Sequence, residues 1–170
     1  MKTFALKKNF TPLWLVAFVL LLPTVISFTS SDPDLWIAWT ICGGLAILLV
    51  TGIFISRVQI NSSHLIIQAD IYREKIKLED IQSIRLINLK LEPNLQVAFR
   101  TFGTHLPTYT TGWFELSNSQ EAFVYLTDET KVVHLTTKDY QLLLSFENPE
   151  GLIEALQLEA AKINLARGTQ

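Results

Sequence analysis

The sequence predicts an α+β protein: a two-helix transmembrane hairpin, then a curved antiparallel β-sheet or barrel closed by a C-terminal amphipathic helix. Three observations predict it. Asn9–Ser31 and Leu35–Ser56 contain no Lys, Arg, Asp or Glu and are divided only by Asp32-Pro33-Asp34. From Arg57 to Ser145 short period-2 runs alternate with turn residues. After Asn148-Pro149, apolar residues recur at helical spacing.

A helix needs about 20 mostly apolar residues to cross the hydrocarbon core. Both runs are long enough, and a backbone in lipid must satisfy its own hydrogen bonds, which makes a helical hairpin of them. The spans are read as 12–31 and 35–56, with 1–11 a cytoplasmic N-terminus and 32–34 an extracytoplasmic turn. Lys2, Lys7 and Lys8 precede the first span, and Arg57, Arg73, Lys75 and Lys77 follow the second. Cytoplasmic flanks carry the excess of Lys and Arg, so both termini are expected inside an inner or plasma membrane. Trp14, Trp36 and Trp39 suit interfacial anchors.

The competing reading of the first run is a cleaved signal peptide, with Leu13–Leu22 as its apolar core. Val25-Ile26-Ser27-Phe28-Thr29 offers no Ala-x-Ala site, and a stop-transfer helix still follows. In the second run Ala38, Cys42 and Ala46 form a row of small residues that packs the hairpin, with oligomerisation as the alternative. Neither run holds a Lys, Arg, His, Asp or Glu, which argues against an ion or proton pathway along them. The hairpin is an anchor.

The remaining residues, 57–170, are enough for one domain. They carry 11 Lys and Arg against 14 Asp and Glu, a net charge of −3, so no overall pull toward nucleic acid exists. Cys42 is the only cysteine, which excludes an intrachain disulfide or a thiolate metal cluster.

Arg57–Asn61 and His64–Gln68 read as strands about an Asn-Ser-Ser turn, and Ile71–Ile76 alternates again. Leu78–Ile81 is a short turn before Ser83–Asn88. Leu89–Thr111 reads as a long irregular loop with Pro93, Pro107 and Gly103, and long loops are often functional. Beyond it, Trp113–Leu116 and Glu121–Thr127 form a hairpin. Asp128-Glu129 turns into Lys131–Thr136, and Lys138-Asp139 into Tyr140–Ser145, a succession that suits a curved sheet or barrel. Asn148 caps a helix of about 149–166 whose stripe is Leu152, Ile153, Leu156, Ala160 and Ile163.

The order of strands and final helix, with Phe99-Arg100-Thr-Phe-Gly103, Pro107-Thr-Tyr109, Gly112-Trp-Phe114, Phe123–Thr127, Val132–Leu135 and Leu144–Pro149, resembles the bacterial pleckstrin-homology (PH) family. The resemblance implies a PH-like fold and a membrane-anchored member with two N-terminal spans, and supplies fold more than function. The leading functional expectation is a non-catalytic interaction module facing the cytoplasm, with an unidentified protein partner docked on a sheet edge or in the 89–111 loop. The basic loop with which eukaryotic PH domains hold phosphoinositides has no counterpart here, because Asn61-Ser-Ser-His64 lacks Lys and Arg.

Arg100, Gly103, Pro107 and Gly112 are the candidate binding residues. The glycines suit positive φ or close approach, Pro107 a bend, and Arg100 either loop carbonyls or an anionic group. The alternative function is recognition of lipid or a small anionic ligand by the 89–111 loop. His64, His105 and His134 have no ligand spacing, and a zinc set of His105, His134 and Glu115 is set aside. With no nucleophile elbow or phosphate loop, no catalytic residue, metal, cofactor or nucleic-acid partner is assigned. Glu74, Glu79 and Asp80 interleave with Arg73, Lys75 and Lys77 and are expected to cancel much of their charge.

Overall fold

Alternation of apolar and polar residues decides the first sheet. The computed structural model describes residues 2–8, 16–18, 20–21, 24–25, 35–61, 63–69, 72–106 and 108–168, leaving aside the side chains of 35, 38, 48–55 and 163–168. Arg57–Ile60 (β2), His64–Ala69 (β3) and Tyr72–Lys77 (β4) form the expected antiparallel meander. Val58, Ile60, Leu65, Ile67 and Ile76 point to the core from it. The Asn61 N–H donates to the His64 carbonyl at 2.9 Å and closes the β2–β3 turn.

Lys2–Ala5, read from the sequence as a cytoplasmic terminus, is a strand (β1). It pairs antiparallel with β2, Lys2 opposite Ile60 and Ala5 opposite Arg57. Leu6 follows it into the core with no exposed surface. Four residues flanked by lysines give too short a period-2 run to announce a strand.

The second sheet comprises Ser83–Ile87 (β5), Val97–Leu106 (β6), Tyr109–Leu116 (β7), Glu121–Leu126 (β8), Val132–Thr136 (β9) and Gln141–Ser145 (β10), in the order β5-β9-β10-β8-β7-β6. Two expectations are corrected here. Asp128-Glu129 does not close a hairpin between β8 and β9; β10 lies between them, antiparallel to β9 and parallel to β8. The physical reason is burial: β8, β9 and β10 are buried on both faces, and the run Leu142-Leu143-Leu144 is that of a central strand. Ser145, fully buried, holds the crossover over the end of β10. Its Oγ accepts the Thr127 and Asp128 N–H groups at 3.2 Å and donates to the Asp128 carbonyl at 2.9 Å.

Nor is the sheet a closed barrel. β4 ends the first sheet and β5, after a 3₁₀ turn at Leu78–Asp80, pairs with β9 in the second. A bridge of Leu6 with Phe146 joins the sheets at one corner. The main core fills the space between the sheets, with Phe123, Tyr125, Val133, Leu135, Leu142 and Leu144 facing the first sheet's apolar residues. The helix Pro149–Gly168 (α2) adds Leu152, Ala155 and Leu156 to that core. Asn148 caps it as expected, its Oδ1 accepting the Gly151 N–H at 3.0 Å.

The 89–111 segment is not an irregular loop. It makes 3₁₀ turns at Leu89–Leu91 and Pro93–Leu95, then all of β6 and the start of β7. Register shifts between Val97 and Phe99 and between Arg100 and Phe102 break the alternation of β6, so its sequence shows no clean period of two. Leu89 and Leu95 cover a second core, Phe114, Leu116, Val124, Leu126, Val132 and Leu143, on the far face of the larger sheet.

Leu35–Ile55 is a helix of 21 residues (α1) that runs almost directly into β2. In the first apolar run residues 16–18, 20–21 and 24–25 are helical; the rest of it and the 32–34 turn lie outside the described residues. Among the described residues, no helix is long and apolar enough to cross a membrane, the side chains of 35, 38 and 48–55 in α1 lying outside those described.

Candidate functional site

Of the residues singled out by sequence, Arg100, Gly103 and Gly112 come together on β6 and β7. Gly103 and Gly112 stand opposite each other, and Gly112 has φ +121°. A Cβ on Gly103 would meet the Thr111 carbonyl oxygen at 2.3 Å, and one on Gly112 the Phe102 carbonyl oxygen at 2.4 Å. Neither position admits a side chain, so the pair sets how closely the two strands approach at the bulge. Pro107 lies outside the described residues.

Arg100 is exposed, and its Nη1 donates to the Gly103 carbonyl at 3.4 Å. The guanidinium thus leans back along its own strand. β6 is the edge of the larger sheet, so among the described residues one side of its backbone has no ladder partner. Phe99 and Phe102, which sequence reasoning did not single out, are 67% and 64% exposed on this edge. Phe102 packs edge-on against Tyr72 of β4 at 5.8 Å, and Tyr72 in turn against Phe123 at 6.1 Å. A large aromatic held from beneath while open to solvent, as Phe102 is, suits an interaction surface. Strand register hid them: Phe99 and Phe102 are three apart and share a surface only because a bulge falls between them.

Next to the hairpin tip a groove of about 200 Å³ runs into one of about 250 Å³. Lys90, His105, Thr110, Leu126 and Glu129 line both. His105 Nδ1 lies 2.8 Å from Thr110 Oγ1. Opposite charges, Lys90 and Glu129, share the walls of this open groove, so it suits a contact surface better than an enclosed ligand. At its end Asp128 accepts from Lys7 Nζ at 2.5 Å. That ammonium, with the Thr130 hydroxyl and N–H, holds the Asp128 carboxyl well below the usual carboxylate range.

His134 is elsewhere, buried on β9. Arg85, which only donates, lies 3.2 Å from its Nδ1, so Nε2 carries the proton and donates to Gln141 Oε1 at 2.7 Å. Burial, and secondarily Arg85, lower its pKa. Gln141 Nε2 in turn donates to Gln120 Oε1. The network is satisfied within the sheet and ties β5, β9 and β10 together. Among the described residues no group of three or more His, Cys, Asp or Glu is placed to hold a metal ion.

A family model described as "Bacterial PH domain" matches residues 56–160, more than half of the chain. No curated protein and no solved structure matches.

Proposed function

The chain belongs to the bacterial PH domain family, and from that premise we propose a membrane-anchored, non-catalytic interaction module that faces the cytoplasm. The observation that carries the interaction reading is the β6 edge, ten residues long with Phe99 and Phe102 exposed. A partner protein adds a strand to this edge, its backbone taking the open hydrogen bonds and its side chains covering the two rings. The other edge of interest, β4, carries Arg73, Lys75 and Lys77, the kind of charge that discourages strand addition. Anchoring by two spans is supported by the two uncharged runs and by Trp36, Ile41 and Ile47 of α1, all at least 65% exposed. A cytoplasmic, inner- or plasma-membrane location rests on the basic flanks.

The test uses the full chain in its native membranes, with a photo-crosslinking residue at Thr101 on the edge. A discrete protein adduct that Phe99→Ser with Phe102→Ser abolishes supports the reading. Absence of any adduct, or adducts indifferent to both changes, refutes it. Alkaline carbonate that strips the protein from the membrane would refute the two spans.

A further inference from the structure

Strand alternation sorts the charges of the smaller sheet onto opposite faces. Arg57, Gln68 and Arg73 stand opposite one another across β2, β3 and β4, and so share one face. Two residues along, Gln59, Ile66 and Lys75 form the next row of that face, and His64 with Lys77 the last. Glu74, between Arg73 and Lys75 in sequence, points the other way, half-buried toward the core, where burial raises its pKa. The cancellation expected from the interleaved sequence therefore fails at Glu74. Among the described residues, no Asp or Glu of β1 to β4 lies on the outer face, and the ion pair there is an open one of Lys77 with Glu79 at 3.8 Å.

We propose that this outer face docks on an anionic lipid surface. The proposal rests on the anchored reading above, because the occupant is argued from continuity: α1 ends at Ile55, Arg57 begins the basic face, and α1 touches the domain at β3, a strand of that face. The sheet presents a flat set of cations to whatever surface α1 leaves, and a cytoplasmic leaflet is negatively charged. Arg73 to Lys77 spans about 14 Å of extended strand, long enough to lay several cations on headgroups together. No pocket is needed; the attraction is to surface charge, which salt weakens.

The full chain is placed in lipid nanodiscs with Cys42→Ala and one reporter cysteine, Gln59→Cys on the face or Leu91→Cys on the opposite side of the molecule. Reaction with an impermeant maleimide is timed in phosphatidylcholine and in phosphatidylglycerol-rich discs. Phosphatidylglycerol slows labelling at 59 severalfold and leaves 91 unchanged; high salt, or Arg73→Glu with Lys75→Glu, restores the rate, each cation being worth about fivefold. Equal rates at 59 in both lipids overturn the proposal. So does protection by an added oligonucleotide without protection by phosphatidylglycerol, which would instead assign a nucleic-acid partner. Carbonate extraction of the same protein reads the anchor separately. A chain that carbonate releases is floated with phosphatidylglycerol vesicles, and flotation lost in the double charge reversal upholds the face without the anchor; no flotation removes both.

Discussion

Ala5 lies directly opposite Arg57 in the β1–β2 ladder, although the whole apolar segment separates them in sequence. Neighbouring strands are about 5 Å apart, so the two ends of that segment are held side by side. The Lys7 N–H donates to the Ser145 carbonyl at 3.0 Å, and the Thr127 hydroxyl to the Lys7 carbonyl at 2.9 Å, which fixes the departing strand. A chain cleaved within the first run would lose β1 and Leu6 with it. Leu6→Ala is expected to cost about 2–5 kcal/mol, the range for a large buried aliphatic side chain. Denaturant midpoints of the full chain measure it, and a loss below about 1 kcal/mol would mean that β1 is dispensable.

Gly112→Ala forces a side chain onto a backbone of φ +121° with the Phe102 carbonyl 2.4 Å from its Cβ. The expected cost is about 2–4 kcal/mol, strain and clash together. Gly103→Ala meets the backbone of Thr111 and is expected to cost a similar amount. Both variants loosen the β6 edge, so amide exchange of Phe99–Phe102 rises ahead of global unfolding. Unchanged exchange there would detach the glycine pair from the edge it is argued to shape.

Local chemistry was legible in the sequence where a residue's role ends within its own element. The β2–β4 meander, the β7–β8 and β9–β10 hairpins and the Asn148 cap all follow from nearby turn and capping residues. What was not legible depends on pairing between distant segments. The run Leu142-Leu143-Leu144 marks β10 as a buried strand but does not say that β8 is its neighbour, and the pairing of β1 with β2 leaves no mark in either strand, because ladder bonds are made by backbone common to all residues. The site was half legible: glycine chemistry identified 103 and 112, but the exposed rings at 99 and 102 emerged only from bulge geometry.

Thr111 offers a test of packing that runs the other way. Its Oγ1 is buried and, among the described residues, without a hydrogen-bond partner. Val has nearly the same shape and no hydroxyl to desolvate, so Thr111→Val is expected to stabilise by about 1 kcal/mol. A thermal melt reads the change, and a destabilisation of that size would show that the hydroxyl is satisfied after all.

Asp128→Asn keeps an oxygen for the Thr130 N–H but removes the charge that Lys7 meets. Lys7 is about half exposed, so the expected cost is only about 1 kcal/mol. The folded carboxyl titrates below its unfolded value, so this stability is complete above about pH 4 and is lost as pH falls further. Urea midpoints of the two proteins should therefore differ at pH 7 and converge in acid; a gap that persisted would assign the effect to packing.

His134 sets a separate window at higher pH. The folded chain holds its imidazole neutral, because Nδ1 accepts from Arg85 and burial penalises a cation. An unfolded chain takes up the proton near the ordinary histidine value of 6.5. The unfolded state therefore binds more protons below that value, and stability must fall as pH drops from about 6.5 toward the lowered folded pKa. One such group contributes at most about 1.4 kcal/mol per pH unit in that interval. His134→Gln can accept from Arg85 or donate to Gln141 but cannot titrate. It is expected to lower stability at pH 7.5 and to flatten the decline between pH 6.5 and 5, a range in which the depressed Asp128 carboxyl stays ionised. Parallel pH slopes for the two proteins, measured by urea unfolding, would place the acid sensitivity elsewhere in the fold.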